Sequence, residues 1–290
     1  MSTILFLIVF PFIVALALLV LKTDAARDII VKVASIVIAA ASIYLAVQYF
    51  GSGGEYFEFG NETLNTLMMA IEICLAIMIF YLGIKYKKYL ASVLAAIQTP
   101  IMVWFELSVG HDITVASNIY VDRFSIIMAL IIGIIGTLIC WYSIGYMKDF
   151  QHHHHEEPDR RPLFFFLMFL FLSAMFGIVV SNNLVWLYFF WEITTLCSFF
   201  LIGYTKTQEA INNSFRALIM NLLGGLGFVL AIVVLGNFYG ILELNQMLAM
   251  GAMMGGNAVA VPAALLAFAG ITKAAQMPFN SWLLGAMVAP

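Results

Sequence analysis

Uncharged apolar runs, each about as long as a bilayer's hydrocarbon core requires, recur from one end of this chain to the other. A helix crosses roughly 30 Å of hydrocarbon in about 20 residues. With no water present, every backbone amide and carbonyl in such a run must be satisfied within the protein. The runs are continuous and lack the apolar–polar alternation of a membrane barrel, so helices are the remaining solution. Composition agrees, because 63% hydrophobic and 10% charged residues leave too little polar surface to cover a soluble domain of this length. The expected fold is all-α, a polytopic transmembrane helical bundle.

Polar breaks divide the chain into nine spans, at approximately 3–21, 29–50, 64–84, 89–106, 121–147, 162–181, 184–204, 215–236 and 258–278. A tenth begins near Ser281, and a chain stopping at Ala289-Pro290 so soon afterwards reads as a C-terminally truncated fragment. The run from Thr3 to Leu21 lacks the positively charged start of a secretory signal and is too long for one, so it reads as a retained span. Basic residues then test the map. Lys22, Arg27 and Lys32, then Lys85, Lys87 and Lys88, then Lys148, Arg160 and Arg161, then Lys206 and Arg216 occupy every second connection, eleven of the thirteen in the chain. The opposite connections carry Glu55, Glu58, Glu62, Glu106, Asp112 and Glu243. Cytoplasmic loops collect Lys and Arg, which places the N-terminus outside a multi-pass protein of the plasma membrane.

Ionisable groups inside the spans are the functional candidates, since each costs several kcal/mol at that depth. Glu192 lies midway along the seventh span, and helical spacing puts Tyr188 and Thr195 on its face. Lys273 lies late in the ninth, with Gln276 and Asn280 three and seven residues on, which aligns all three on one face. Pro278 would free the carbonyl of Ala274, and a broken helix beside a lysine is a way of holding an ion path at mid-membrane. The competing reading of Lys273 is a side chain snorkelling to the interface. Glu72, about 12 Å into the third span, pairs with another helix or lines a side path. Arg216 is a relay member or a positive-inside anchor. Gly224, Gly225 and Gly227 allow close helix approach.

Cys74, Cys140 and Cys197 fall in three separate apolar segments without metal-ligand spacing, and read as small buried hydrophobes. The run His152 to His155, followed by Glu156, Glu157 and Asp159, reads as a solvated cytoplasmic loop in preference to a metal tract. No phosphate loop, dinucleotide fingerprint or nucleophile–base arrangement is present, so no bond-making chemistry, resident cofactor or nucleic-acid partner is expected of this chain.

Three blocks carry a family resemblance: Tyr142-Ser143-Ile144-Gly145-Tyr146-Met147; Ser181-Asn182-Asn183-Leu184 leading to Phe190-Trp191-Glu192; and Thr272-Lys273-Ala274-Ala275-Gln276-Met277-Pro278-Phe279 with Trp282. Over roughly residues 120–290 the chain resembles the antiporter-like subunits of respiratory complex I, Mrp-type cation/proton antiporters and membrane-bound energy-converting nickel–iron hydrogenases. In such proteins the matching glutamate and lysine form a charge pair whose changing separation moves protons, a role the resemblance assigns to Glu192 and Lys273. The family fold contains two inverted five-helix repeats. The resemblance implies that the first starts near Pro162 and is cut off in its fifth helix, with a break near Pro278. Residues 1–120 are then N-terminal helices with an inserted pair at 64–106, residues 121–161 a family helix and cytoplasmic loop, and 162–290 the incomplete first repeat.

Where many members of the family carry an acid in the helix after the glutamate, this chain has Gly225. The inserted pair leans towards the hydrogenase branch. The resemblance implies a proton- or sodium-translocating subunit of a multisubunit redox-driven pump, embedded in the lipid bilayer beside other membrane and redox subunits. Iron–sulfur and nickel–iron centres would belong to those partners, with none on this chain. A stand-alone or Mrp-type antiporter subunit and a structural membrane scaffold are the alternatives.

Overall fold

The computed structural model describes residues 1–21, 23–153, 159–254 and 256–290. Lys22, His154, His155, Glu156 and Glu157 lie outside the described residues. Among the described residues, eight helical passages are long and apolar enough to cross a membrane. They are α1 (Ser2–Val20), α2 (Asp24–Tyr49), α3 (Glu62–Lys85), α4 (Tyr89–Ser108), the continuous passage of α5 (Arg123–Leu130) and α6 (Thr137–His153), α7 (Arg161–Val180), α8 (Leu184–Ile202) and α9 (Gln208–Tyr239). The chain continues with α10 (Leu244–Met254), α11 (Gly256–Lys273) and the short α12 (Ser281–Gly285). The one sheet among the described residues is a two-stranded antiparallel ribbon, β1 (Glu55–Phe57) against β2 (Ile119–Val121).

The bundle has an apolar core, and its outer surface is apolar as well. On α1 and α2 the side chains of Val9, Ile13, Leu16, Val33, Ile36 and Val47 are exposed, while Ser35 and Ser42 are buried. That is the surface a lipid environment selects, and the chain is a multi-pass membrane protein. Helices α7, α8 and α9 form the interior. α1 packs on α7, α8 lies between α7 and α9, and both α4 and α11 pack on α9, with α3 joining α4 as a hairpin.

The two ends differ in charge. At the basic end, Arg161 bridges Asp24 of α2 at 2.9 Å and Asp159 at 2.7 Å, Arg27 pairs with Asp24, and Lys148 pairs with Asp28. The other end is tied together by a buried acid. Glu243, 2% exposed, accepts from the Ala116 amide at 2.8 Å, the Gln246 side chain at 2.8 Å and Asn182 Nδ2 at 3.1 Å. Asn183 Nδ2 donates to Asn118 Oδ1 at 2.7 Å. The Ser181-Asn182-Asn183 block is therefore a clasp that fixes where α8 starts, and Glu243 is a buried structural group where sequence suggested a loop acid.

Several boundaries differ from expectation. α9 begins at Gln208, seven residues before the expected span, because Thr207 caps it by accepting from the Ala210 amide at 3.1 Å. The span expected at 121–147 runs on to His153 through a π-helical stretch at Ile131–Gly136, so His152 and His153 close a helix and are not loop residues. α10 had no counterpart among the expected spans.

The ninth span shows the largest change. α11 ends at Lys273, five residues before Pro278, so the proline does not break it. Ala275 adopts φ 51°, and the Gln276 amide reaches back to the Ile271 carbonyl at 3.0 Å, a left-handed helix terminus built on an alanine. The break in the helix lies between Lys273 and Ser281, as the family pattern implied, but its cause is that turn.

Candidate functional site

Because Asn183 caps α8 through the Val185 amide at 2.9 Å, Glu192 is carried about 12 Å along the helix from its start. Its side chain is 7% exposed, and Oε1 has no hydrogen-bond partner. Gly225 of α9 makes its space, since a Cβ there would stand 2.8 Å from Glu192 Oε1 and 3.2 Å from Gln98 Oε1 of α4. The position at which the family pattern carries an acid is here the floor under the Glu192 carboxylate.

Lys273, the last residue of α11, reaches the next turn of α8. Its Nζ donates to Thr195 Oγ1 at 2.8 Å and to the Trp191 carbonyl at 3.3 Å, and lies 5.0 Å from the Trp191 ring centroid. A cation over an indole face gains further electrostatic attraction. No ion pair within 4 Å joins Lys273 to Glu192 among those formed by the described residues. The lysine is held by the helix that carries the glutamate, at a neutral hydroxyl three residues further along.

α11 approaches this closely because α9 is stripped of side chains along the contact. A Cβ on Gly224 would lie 1.9 Å from Thr272 Oγ1, and one on Gly227 would lie 2.9 Å from the Phe268 ring. Thr272 Oγ1 donates to the Ala269 carbonyl at 2.7 Å, and Trp282 Nε1 of α12 donates to the Thr272 carbonyl at 2.9 Å, closing the broken segment back over the end of α11.

Of the residues singled out in the sequence, Glu192, Thr195, Lys273, Tyr188 and Glu72 converge on this region. Tyr188 is buried against Phe228, with ring centroids 5.8 Å apart. Glu72, 6% exposed, comes from α3 to line one small cavity with Gln98, Tyr188 and Glu192. The remainder do not join. Gln276, Pro278 and Asn280 are exposed beyond the end of α11 and share no helix face with Lys273, because the helix stops first. Arg216 is exposed nine residues into α9, not at its entry, with no bond to Glu192 or Lys273. Gln98 and Trp191 were missed. A lone amide within an apolar run was a visible signal for Gln98, whereas nothing in the spacing marks Trp191 as a seat for Lys273.

Fold and site define a polytopic helical membrane protein whose interior holds a carboxylate and an amine on adjoining helices. The chain is similar to the antiporter-like membrane subunits shared by complex I and Mrp antiporters. Residues 181–290 match the family described as NADH:quinone oxidoreductase/Mrp antiporter, TM, and residues 104–165 match NADH-Ubiquinone oxidoreductase (complex I), chain 5 N-terminus. The Na(+)/H(+) antiporter subunit A1 of Staphylococcus haemolyticus (strain JCSC1435) is 33% identical over 175 residues, 60% of this chain and 21% of that protein. Subunit A1 of Staphylococcus aureus (strain JH9) is 32% identical over the same shares. The chain thus spans about a fifth of the length of these relatives.

Among solved structures, the Mrp complex from Dietzia sp. DQ12-45-1b matches with a TM-score of 0.52 at 28% identity, covering 78% of this chain and 25% of that one. The membrane-bound sulfane sulfur reductase (MBS), an archaeal respiratory membrane complex, shares the fold with a TM-score of 0.50 at 20% identity, over 78% of this chain and 48% of that one.

Proposed function

We propose that this chain is part of a proton- or sodium-translocating membrane subunit of a multisubunit complex, with Glu192 and Lys273 as its mobile charge pair. The observation that carries the reading is the seat of Lys273 on Thr195 and Trp191, close to Glu192 but not paired with it. Opposite charges brought from about 8 Å to about 4 Å at an effective dielectric near 20 gain roughly 2 kcal/mol. A lysine with a neutral seat and a nearby carboxylate has two positions whose balance a small helix movement can tip. A scaffold has no use for a buried acid with an unpartnered oxygen, which costs stability.

Two driving partners fit. A redox-driven pump would place iron–sulfur and, in the hydrogenase branch, nickel–iron centres in neighbouring subunits, with no cofactor on this chain. An Mrp-type antiporter would exchange cations for protons, and the names of the relatives favour it. The charge asymmetry of the two ends supports an outside N-terminus, and a plasma-membrane location is part of the same reading. The test is transport by the complete complex in vesicles, driven either by electron donor or by an imposed sodium gradient. Glu192→Gln is expected to abolish transport at normal assembly, and unimpaired transport in that variant would refute the assignment.

A further inference from the structure

The inserted hairpin of α3 and α4 contributes groups that the pairing of Glu192 with Lys273 does not use. At the acidic end, the hairpin borders an open pocket of about 610 Å³ whose walls include Glu62, Asn65, Glu106 and Asn183. Deeper along the same seam lies a second cavity, lined by Glu72, Gln98, Thr99, Tyr188 and Glu192, with about 10 Å³ open to the centre of a water molecule. That is close to the lower limit for holding one buried water.

The inner cavity is a built polar site. Glu72 Oε1, Gln98 Oε1 and Glu192 Oε1 are all buried and without hydrogen-bond partners, on side chains 6%, 2% and 7% exposed. Glu72 interacts electrostatically with both Glu106 and Glu192. None of the ion pairs among the described residues involves any of these three acids. Three acceptor oxygens around space for one water, with no ion pair formed by any of them among the described residues, suit a hydrated proton. A hydrated metal ion does not fit in that volume.

We propose that the hairpin carries a proton side branch, in which Glu106 at the pocket and Glu72 at the inner cavity pass protons through ordered water between the acidic end of the bundle and Glu192. The Glu72 carboxyl gives its O–H proton to the cavity water, that water protonates the Glu192 carboxylate, Glu72 is reprotonated from Glu106, and Glu106 regains a proton from water in the open pocket. Each transfer breaks one O–H bond and forms another, so no further reactant is needed. The branch rests on the translocation reading above and adds an entry route that the two family blocks around Glu192 and Lys273 do not contain.

The experiment uses the complete complex in inverted membrane vesicles, with a dye that reports the pH gradient, and purified yield as the measure of assembly. Glu72→Gln and Glu106→Gln are each expected to slow proton movement by roughly tenfold or more at normal yield, with Glu72→Asp retaining more activity. Infrared difference spectra on deuteration give a readout independent of transport: a protonated-carboxyl band that shifts in the wild type and is lost in Glu72→Gln. Should Glu72→Gln fail to assemble, Glu72→Asp decides, since a displaced band supports the branch and an unaltered one overturns it. Wild-type rates in both glutamine variants, or a carboxyl band indifferent to Glu72, overturn the branch and leave the Glu192–Lys273 reading intact. Normal transport in Glu192→Gln overturns that reading and the branch with it.

Discussion

Lys273 Nζ is hydrogen-bonded to Thr195 Oγ1 at 2.8 Å, so the half-buried amine rests on a neutral acceptor three residues past the glutamate it would be expected to pair with. The hydroxyl is itself held, donating to the Trp191 carbonyl at 3.1 Å. Thr195 is thereby the residue that keeps the lysine near Glu192 without fixing it there.

Thr195→Val keeps the side-chain volume and removes that acceptor. An unsatisfied buried group costs about 1–3 kcal/mol, so the lysine should leave its seat and transport should fall roughly tenfold while assembly is retained. Transport rate against complex yield checks this, and equal rates would show that the hydroxyl has no such role.

Lys273→Arg preserves the positive charge but replaces a group able to release its proton with one that cannot. The variant complex is expected to assemble yet lose coupled transport, measured as ions moved per electron or per exchanged cation in reconstituted liposomes. Normal stoichiometry would mean that this side chain does not cycle a proton.

Adjacent glycines should fail in different ways. Gly224→Ala drives a methyl into Thr272 Oγ1, 1.9 Å from its ideal position, and should separate α11 from α9, lowering complex stability by about 1–3 kcal/mol. Gly225→Ala meets Glu192 Oε1 at 2.8 Å and should displace the carboxylate, costing transport more than stability. Thermal unfolding and transport assays on both variants check the contrast, and identical profiles would contradict it.

Charge asymmetry gives a topology that cysteine labelling can read. In a background lacking the exposed Cys74, a cysteine at Ser52 should react with an impermeant reagent from outside the cell and one at Gln208 only from inside. Reaction of both from one face would invert or dissolve the assigned orientation.

The sequence alone determined the long membrane-crossing helices and singled out the two central ionisable residues, because both are one-dimensional signals. Apolar length reports a span wherever it falls, and Glu192 or Lys273 inside such a run is conspicuous without any knowledge of its neighbours. Only the tertiary structure decided who those neighbours are. Glu72 and Glu192 stand 120 positions apart in the chain, yet line one cavity because the α3–α4 hairpin folds against α8 and α9. Gly224 and Gly225 look alike in sequence, but a helix turns about 100° between successive residues, so one faces α11 and the other the carboxylate. Helical spacing placed Gln276 and Asn280 beside Lys273, and a left-handed Ala275 removed them, since a terminus closed by backbone hydrogen bonds leaves no periodic signature. Glu243 looked like a solvated loop acid because burial by residues more than sixty positions away cannot be read from its own surroundings.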